Sequence, residues 1–506
     1  MELNEFREKI DDIDSQIVKL FVQRMEISKA IGKAKSQNGI SVEDKKRQKA
    51  VLDKAERLAP EKLRFYVNEL YLKLFSLSKL YQRSENTAFG LVGERVEKSF
   101  SPKLHGNLGN YSYKLLSMNA EDFDLFMKFK PFKGINVTMP YKEKALAFCS
   151  VLSEEARAIG CVNTVVKKNN ELYGYNTDLE GLKYMLFRRS ISLKNKNVLI
   201  LGTGGTSKTA EYAAHALGAK SVKKVSRNGR INYENVYELQ ETQVIINTTP
   251  VGMAPDCGSV PIDLSRFGIV EAYADVVYIP LNTAALVKAK QLGLKTSSGL
   301  DMLCAQAFFA SEIFTGQKLK TELLNKLCGK MHSELSNIVL MGMPGSGKSR
   351  IAKMLGKRTG RTVFDTDKII ERKTGKKCKD IITELGEKHF RLIESETVKE
   401  VSAENGCIIA LGGGSVLMEE NRLALAQNGV IVYIKRDNAK LATKGRPLSP
   451  NGIALGKMLA EREPVYNSFA DFSVNNNGYI ENTVNELLKK FEMQNKKEEK
   501  YESSCC

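Results

Sequence analysis

The stretch Gly342-Met-Pro-Gly-Ser-Gly-Lys-Ser349 constrains this chain more tightly than any other. It follows the apolar run Asn337-Ile-Val-Leu-Met341 and precedes Arg350-Ile-Ala-Lys-Met-Leu-Gly356, an order that reads as strand, loop and helix. Gly342, Gly345 and Gly347 let the backbone curl until its N–H groups face inward, Lys348 adds a point charge, and the helix N-terminus adds its dipole. Gly345 to Ser349 therefore form a cradle for a triphosphate, and the domain around them is expected to be α/β.

With 506 residues the chain is too long for one core and suits about three domains. The formal charge of +18 goes with anionic small molecules, since no nucleic-acid-binding signature accompanies it. Nine cysteines without a C-x-x-C pair imply neither zinc nor a disulfide framework, and the four histidines are too dispersed for a metal site. The N-terminus lacks an apolar signal core and no run approaches membrane length, so a soluble cytoplasmic protein without membrane partners is expected. The charged end of the chain, 492–506 with Cys505 and Cys506, reads as a disordered tail rather than a prenylation signal.

Residues 1–84 read as almost continuous helix, with Leu3, Phe6, Ile10, Ile13, Ile17, Leu20, Phe21 and Met25 recurring at three and four. Asn38-Gly39 and Pro60 divide it into a long helix to about Ala34, a shorter one from about Glu43, and a third from about Glu61 to Gln82. Three such helices close a core poorly alone and invite a second copy. The ordered set Arg7, Arg24, Lys35, Asp44, Arg47, Gln48, Ser78 and Gln82 resembles the all-helical class of chorismate mutase. That resemblance implies a basic pocket that folds a dianion, chorismate, and stabilises charge on its ether oxygen, with Lys35 and Gln82 as catalytic groups. Gln48 stands where the family commonly has glutamate, and an amide still accepts the hydrogen bond. The alternative is a dimerisation or effector-binding module without catalysis.

From Phe89-Gly-Leu-Val92 short strands alternate with helices, an α/β pattern over about 88–328. It carries Ser99-Phe-Ser101, Gly134-Ile-Asn-Val-Thr-Met-Pro-Tyr-Lys142, Gly160-Cys-Val-Asn-Thr164, Gly174-Tyr-Asn-Thr-Asp178 and a dinucleotide loop, Gly202-Thr-Gly-Gly-Thr-Ser207, behind the strand Asn197–Leu201. Val225-Ser-Arg-Asn228 puts a guanidinium where an NAD site keeps an acid, which favours the 2′-phosphate of NADP. With Asn247-Thr-Thr-Pro-Val-Gly-Met253, Asp275-Val-Val-Tyr278 and Gly299-Leu-Asp-Met-Leu-Cys-Ala-Gln306, these motifs resemble shikimate dehydrogenase. The resemblance implies reduction of 3-dehydroshikimate by NADPH, with Lys142 and Asp178 handling the proton. It implies Ser99, Ser101, Thr138, Asn163, Tyr278 and Gln306 on the substrate, and Gly202, Gly204, Gly205, Thr206, Ser226, Arg227, Asn247 and Gly299 on the cofactor. Ser226 replaces a usual asparagine, and a preference for quinate is the rival reading. The substrate part is expected at about 88–190 and 300–328, the NADP part at about 191–299.

Behind the short linker Gly329–Glu334, a last domain is expected over 335–491. Phe364-Asp-Thr-Asp367 ends an expected strand, Thr362–Phe364, and its two carboxylates are expected on different faces, one for the metal and one for the substrate. Arg391, the turn Gly412-Gly-Gly414 after Cys407–Leu411, Gly445-Arg-Pro447 and Glu461-Arg-Glu-Pro-Val-Tyr466 follow in order. The series resembles shikimate kinase. By that resemblance Asp367 deprotonates the acceptor hydroxyl of shikimate, Ser349 and Asp365 hold Mg²⁺ beside ATP, Arg391, Gly413 and Arg462 grip the substrate, and Arg446 sits in a lid. The lid segment Leu441–Gly445 offers no arginine for the adenine. Three enzymes in one chain, paired as a homodimer through the first domain, are the expectation.

Overall fold

A computed structural model describes residues 3–38, 44–84, 88–437, 441 and 452–497. Arg446, Cys505 and Cys506 lie outside them. The chain divides into two compact units, residues 1–177 with 307–318 and residues 178–306 with 319–506.

In the first unit the helical periodicity gives α1 (Leu3–Gln37), α2 (Lys45–Leu58) and α3 (Arg64–Ser84). The last runs on from a 3₁₀ turn, Glu61–Leu63, that Pro60 opens. Asp44 caps α2 by accepting from the Arg47 amide at 2.9 Å. A six-stranded sheet follows: β1 (Phe89–Gly93), β2 (Tyr113–Ser117), β3 (Gly134–Val137), β4 (Val151–Leu152), β5 (Thr164–Lys168) and β6 (Glu171–Tyr175), in the order β2-β1-β3-β5-β6-β4. β1 runs parallel to β2 and β3, and β5 antiparallel to β3 and β6. Val92, Phe123, Ile135, Val165 and Leu172 are its buried core.

The second unit holds two five-stranded parallel sheets. One is β7 (Asn197–Leu201), β8 (Ser221–Val225), β9 (Val244–Asn247), β10 (Ala272–Asp275) and β11 (Lys295–Ser298), in the order β11-β10-β9-β7-β8. The other is β12 (Asn337–Met341), β13 (Val363–Asp365), β14 (Ile408–Ala410), β15 (Gly429–Lys435) and β16 (Phe472–Asn475), in the order β13-β14-β12-β15-β16. The central strands are apolar on both faces because helices cover both faces, the usual state of a parallel sheet.

Two sequence readings change. Gly329–Glu334, expected as a linker, is the end of the helix Thr321–Leu335, because Leu324, Leu327, Cys328, Met331 and Leu335 bury one helical stripe. The tail expected from residue 492 begins as helix, since Ile480–Lys497 continues past the buried Phe491. No helix among the described residues is long and apolar enough to cross a membrane.

The helix Thr321–Leu335 is tied to the helix Gly299–Thr315 through charge. Asp301, fully buried, takes His332 Nε2 at 2.9 Å and lies 3.5 Å from Arg188 Nη1 and 3.6 Å from Arg189 Nε. Burial alone would push its carboxyl up, but His332, Arg188 and Arg189 outweigh burial and hold it well below the usual carboxylate range. A depressed carboxyl contributes stability above the unfolded value, about pH 4, and loses it as pH falls through the folded value. Asp301→Asn should therefore cost about 3 kcal/mol near neutral pH by leaving buried cations uncompensated, and less in acid. Thermal unfolding of wild type and variant across pH measures this.

Candidate active sites

The phosphate loop runs from the end of β12 into the helix Lys348–Thr359. Gly347 heads that helix at φ +98°, and a Cβ there would lie 2.5 Å from Asn476 Nδ2, which donates to the Ser346 carbonyl at 2.7 Å. Only glycine fits such a position. Lys348 is buried and its Nζ donates to the carbonyls of Gly342 (2.9 Å) and Met343 (3.0 Å), so its charge stands over the loop. Ser346 Oγ is buried and has no hydrogen-bond partner among the described residues. A hydroxyl stranded in a glycine cradle at a helix head fits a phosphate ligand.

Asp365 closes β13 and caps the helix Thr366–Thr374 by accepting from the Lys368 amide at 3.3 Å. Asp367 lies in the first turn of that helix. Asp367 therefore sits on a helix and not at the strand end from which its direction was expected. Exposed Ser349 and half-buried Asp365 offer hard oxygen donors of the kind Mg²⁺ takes. Asp367 lines a cavity of ≈ 530 Å³ with Arg391, Glu394, Gly412, Gly413, Gly414 and Arg462. So the structure gathers four residues read from sequence: Asp367, Arg391, Gly413 and Arg462. Tyr466 fixes the turn by donating to the Gly413 carbonyl at 2.5 Å.

Sequence reading missed Glu394. Its buried carboxylate takes Arg391 Nη1 at 2.6 Å and Ser415 Oγ at 2.6 Å, which aims the guanidinium. The signal was there, an acid three residues after Arg391 on a helix. It also missed Arg436 and Asn476, which share a second cavity of ≈ 390 Å³ with Gly347, Arg350 and Tyr479. Arg436 Nε is buried without a hydrogen-bond partner among the described residues. No motif marks Arg436, because its place beside the loop comes from the pairing of β15 with β12.

The dinucleotide loop repeats this geometry behind β7. Gly202 has φ +110°, and a Cβ there would lie 2.8 Å from Thr248 Oγ1; Ser207 Oγ donates to its carbonyl at 2.7 Å. Gly204 heads the helix Gly205–Ala216 with open space above it, and Thr206 lies in the first turn. Ser226 and exposed Arg227 follow β8. Asn247 is fully buried and donates to Asp275 Oδ1 at 3.0 Å, while its own oxygen accepts from the amide (3.0 Å) and hydroxyl (2.7 Å) of Thr249. Burial pushes the Asp275 carboxyl up to about 6, against the Val277 amide, Thr283, Asn247 and Tyr273, which bond to it. A glycine cradle with a guanidinium after the next strand suits a phosphorylated dinucleotide. Gly299 opens the helix Gly299–Thr315, and Gln306, buried on it, donates to the Leu303 carbonyl at 3.1 Å. Asp178 is buried near the start of the helix Thr177–Arg188, and half-buried Tyr278 follows β10.

In the first unit Ser99 and Ser101 hydroxyls are 3.0 Å apart. Buried Asn163 accepts from the Thr177 amide at 2.7 Å and donates to the Thr177 hydroxyl at 3.0 Å. Half-buried Thr138 and Lys142 follow β3. Among the helices, Arg24 donates to the Ser78 hydroxyl and to the Leu74 carbonyl at 3.3 Å, and Gln82 packs against Gly32. Lys35 and Gln48 are half-buried; Arg47 and Asp44 are exposed. Arg7 is also exposed, seventeen residues before Arg24 on one unbroken helix and so about 25 Å away.

The fold and these sites define a multidomain enzyme with two nucleotide-binding α/β sheets behind a helical domain. Family models match three stretches: chorismate mutase type II over residues 6–83, the shikimate dehydrogenase substrate binding domain over 91–165, and shikimate kinase over 344–492. The shikimate dehydrogenase (NADP(+)) of Clostridium perfringens is 36% identical over 253 residues, 46% of this chain and 93% of that protein. That of Methanococcus maripaludis is 33% identical over 272 residues, 48% of this chain and 96% of that protein. A solved chorismate mutase/shikimate 5-dehydrogenase fusion protein from Clostridium acetobutylicum is 30% identical, over 49% of this chain and 97% of that one, at a TM-score of 0.46. The chain belongs to the shikimate dehydrogenase family, and it joins that enzyme to a chorismate mutase and a shikimate kinase, three enzymes of aromatic biosynthesis in one polypeptide.

Asp367 is exposed at the cavity, yet the loss of solvent around its carboxyl there, opposed by Lys348 and aided by Asp365, Glu394 and Glu371, raises that group to about 6. Below that value the group is mostly protonated and cannot take a proton. Shikimate phosphorylation should rise about tenfold per pH unit up to about 6 and then level, and Asp367→Asn should remove both the rate and the pH step. A pH profile of kcat/KM for shikimate, measured on both proteins, checks it.

Proposed function

We propose that the residues gathered above carry the three reactions. Domain limits of about 1–84, 88–328 and 335–491 go with this reading: the matches over 6–83 and 91–165 fall inside the first two, and the match over 344–492 fits the third to within one residue. In the kinase, Lys348 and the loop amides of Gly345, Ser346 and Gly347 neutralise the nucleotide phosphates, and Arg436 and Asn476 serve the nucleotide in place of a lid arginine. Ser349 and Asp365 would hold Mg²⁺, which would offset negative charge on the nucleotide phosphates. Arg391, aimed by Glu394, and Arg462 align the carboxylate of shikimate, and Asp367 takes the proton of the attacking hydroxyl. The cavity that joins Asp367 to both arginines is the observation that carries this assignment.

In the dehydrogenase, NADPH supplies the hydride when bound. Arg227 and Ser226 take its 2′-phosphate, and Gly202, Gly204, Gly205 and Thr206 its pyrophosphate. The NADP(+) names of the relatives support that choice. Lys142 gives the proton to the ketone oxygen while Asp178 orients it; Ser99, Ser101, Asn163, Tyr278 and Gln306 hold the ring. The free thiols among the described residues and the water-soluble substrates favour the cytoplasm.

In the mutase, Arg24, Lys35, Ser78 and Gln82 hold chorismate. Arg7 lies too far along α1 to join them, so it serves the site of a second copy whose α1 runs antiparallel. Phe6, Ile10, Ile13, Ile17 and Leu20 on α1 are each at least half exposed, a face that a second α1 would cover.

Lys348→Ala should abolish phosphorylation of shikimate and change dehydrogenation by less than about twofold, since the two phosphate cradles belong to different sheets. Assays of both activities on the folded variant decide it, and loss of both would overturn the assignment. Arg7→Ala and Lys35→Ala should each be nearly inactive as mutase. Refolded together they should recover about a quarter of the wild-type sites by random pairing. No recovery in verified heterodimers, or a fully active monomer, would refute the shared site.

A further inference from the structure

The last turns of α3 are held from two sides. At about 100° per residue, Ser78 and Gln82 share one face of the helix, Lys79 lies beside them, and Leu80 lies opposite. The Ser78 and Gln82 face meets α1. Arg24 donates to Ser78, and Gln82 is pressed so close that a Cβ on Gly32 would lie 2.8 Å from Gln82 Cβ. The other side meets the dehydrogenase. Lys79 Nζ donates to Asp122 Oδ2 at 2.8 Å, with side-chain exposures of only 14% and 9%. Leu80 packs against the dehydrogenase core around Phe123 and Met118. Asp122 sits on the helix Ala120–Phe129, whose cap Asn119 takes the Asp122 amide at 2.8 Å, so the carboxylate stands on a fixed base.

Helix ends fray, because the last carbonyls have no intrahelical partner, and Gln82 stands within the last turn of α3. Its Oε1 is buried without a hydrogen-bond partner among the described residues, an acceptor whose position is set by packing alone. A nearly desolvated ion pair one turn before it is a strong local anchor, since breaking such a pair strands a buried charge. We infer that the Lys79–Asp122 ion pair is a positioning device for the mutase: the dehydrogenase domain holds the end of α3 wound, and thereby holds Ser78 and Gln82 at the chorismate site. This rests on the proposal that Gln82 belongs to that site. The mutase is then not a self-sufficient module with a dehydrogenase attached, but borrows a wall from it. Among the described residues, the side chain of Lys79 bonds to Asp122 and not to a candidate substrate group of the dehydrogenase.

The test uses the full chain carrying Asp122→Asn, the charge swap Lys79→Asp with Asp122→Lys, and Gln82→Ala. Asp122→Asn should lower mutase kcat about tenfold while KM for chorismate moves less. The dehydrogenase and kinase should stay within about twofold, and the amides of residues 80–82 should exchange faster with solvent. The charge swap should restore most of the lost kcat. A purely structural role would lower the unfolding temperature and the dehydrogenase rate together, with no rescue by the swap, and that outcome overturns the inference. So does full mutase activity in Asp122→Asn when Gln82→Ala is inactive. Full activity in Gln82→Ala would instead show that the reading of the mutase site itself fails.

Discussion

Both nucleotide loops depend on one interaction, the capture of a phosphate by backbone N–H groups at the head of a helix. Gly202 and Gly347 make it possible, each at a left-handed φ and each with a side chain standing where a Cβ would be, Thr248 Oγ1 in one case and Asn476 Nδ2 in the other. The parallel sheets serve that interaction. A parallel strand must be followed by a crossover, and behind β7 and β12 the crossover helix begins a few residues after the strand ends, so these two strand ends face a helix dipole.

Buried carboxylates of the second unit are tuned by what faces them. Asp301 is deeply buried yet stays charged, because His332, Arg188 and Arg189 surround it. Asp275 is equally buried but faces amides and hydroxyls, so burial wins and its carboxyl rises to about 6. Asp367 rises as well, first through desolvation in its cavity and then through the carboxylates of Asp365, Glu394 and Glu371, which suits a proton acceptor working near neutral pH. One residue type thus supplies a fixed charge, a structural hub and a candidate base within a single compact unit.

Joining the domains brings further constraints. The helix Thr321–Leu335 runs into β12 of the kinase while its His332 grips Asp301 of the dehydrogenase. Near the end of that kinase sheet, Leu281 and Asn282 donate to Asn428 Oδ1 at 2.9 Å and to the Gln427 carbonyl at 2.8 Å. Gln427 in turn donates to the Cys257 carbonyl at 2.5 Å. These buried polar contacts are satisfied on both sides, which gives the pairing of the two domains a defined geometry rather than a loose tether.

Much of this was legible in the linear order of residues. Glycine spacing, a lysine at the loop end and an arginine after a strand name their chemistry locally, because backbone conformation and the nearest charges decide it. The period of three and four over the first helices likewise placed α1 to within a turn of its true end. What spacing could not reach were contacts between distant segments. Arg436 and Asn476 come to the phosphate loop only because β15 and β16 pair beside β12. Asp367 lies in the first turn of a helix right behind the strand, because Asp365 caps that helix locally. The anchoring of α3 by Asp122 depends on where a second domain sets its own helix. Local chemistry is written along the chain, whereas charge partners and cavity walls belong to residues far apart in it, and only the packed structure decides which of them meet.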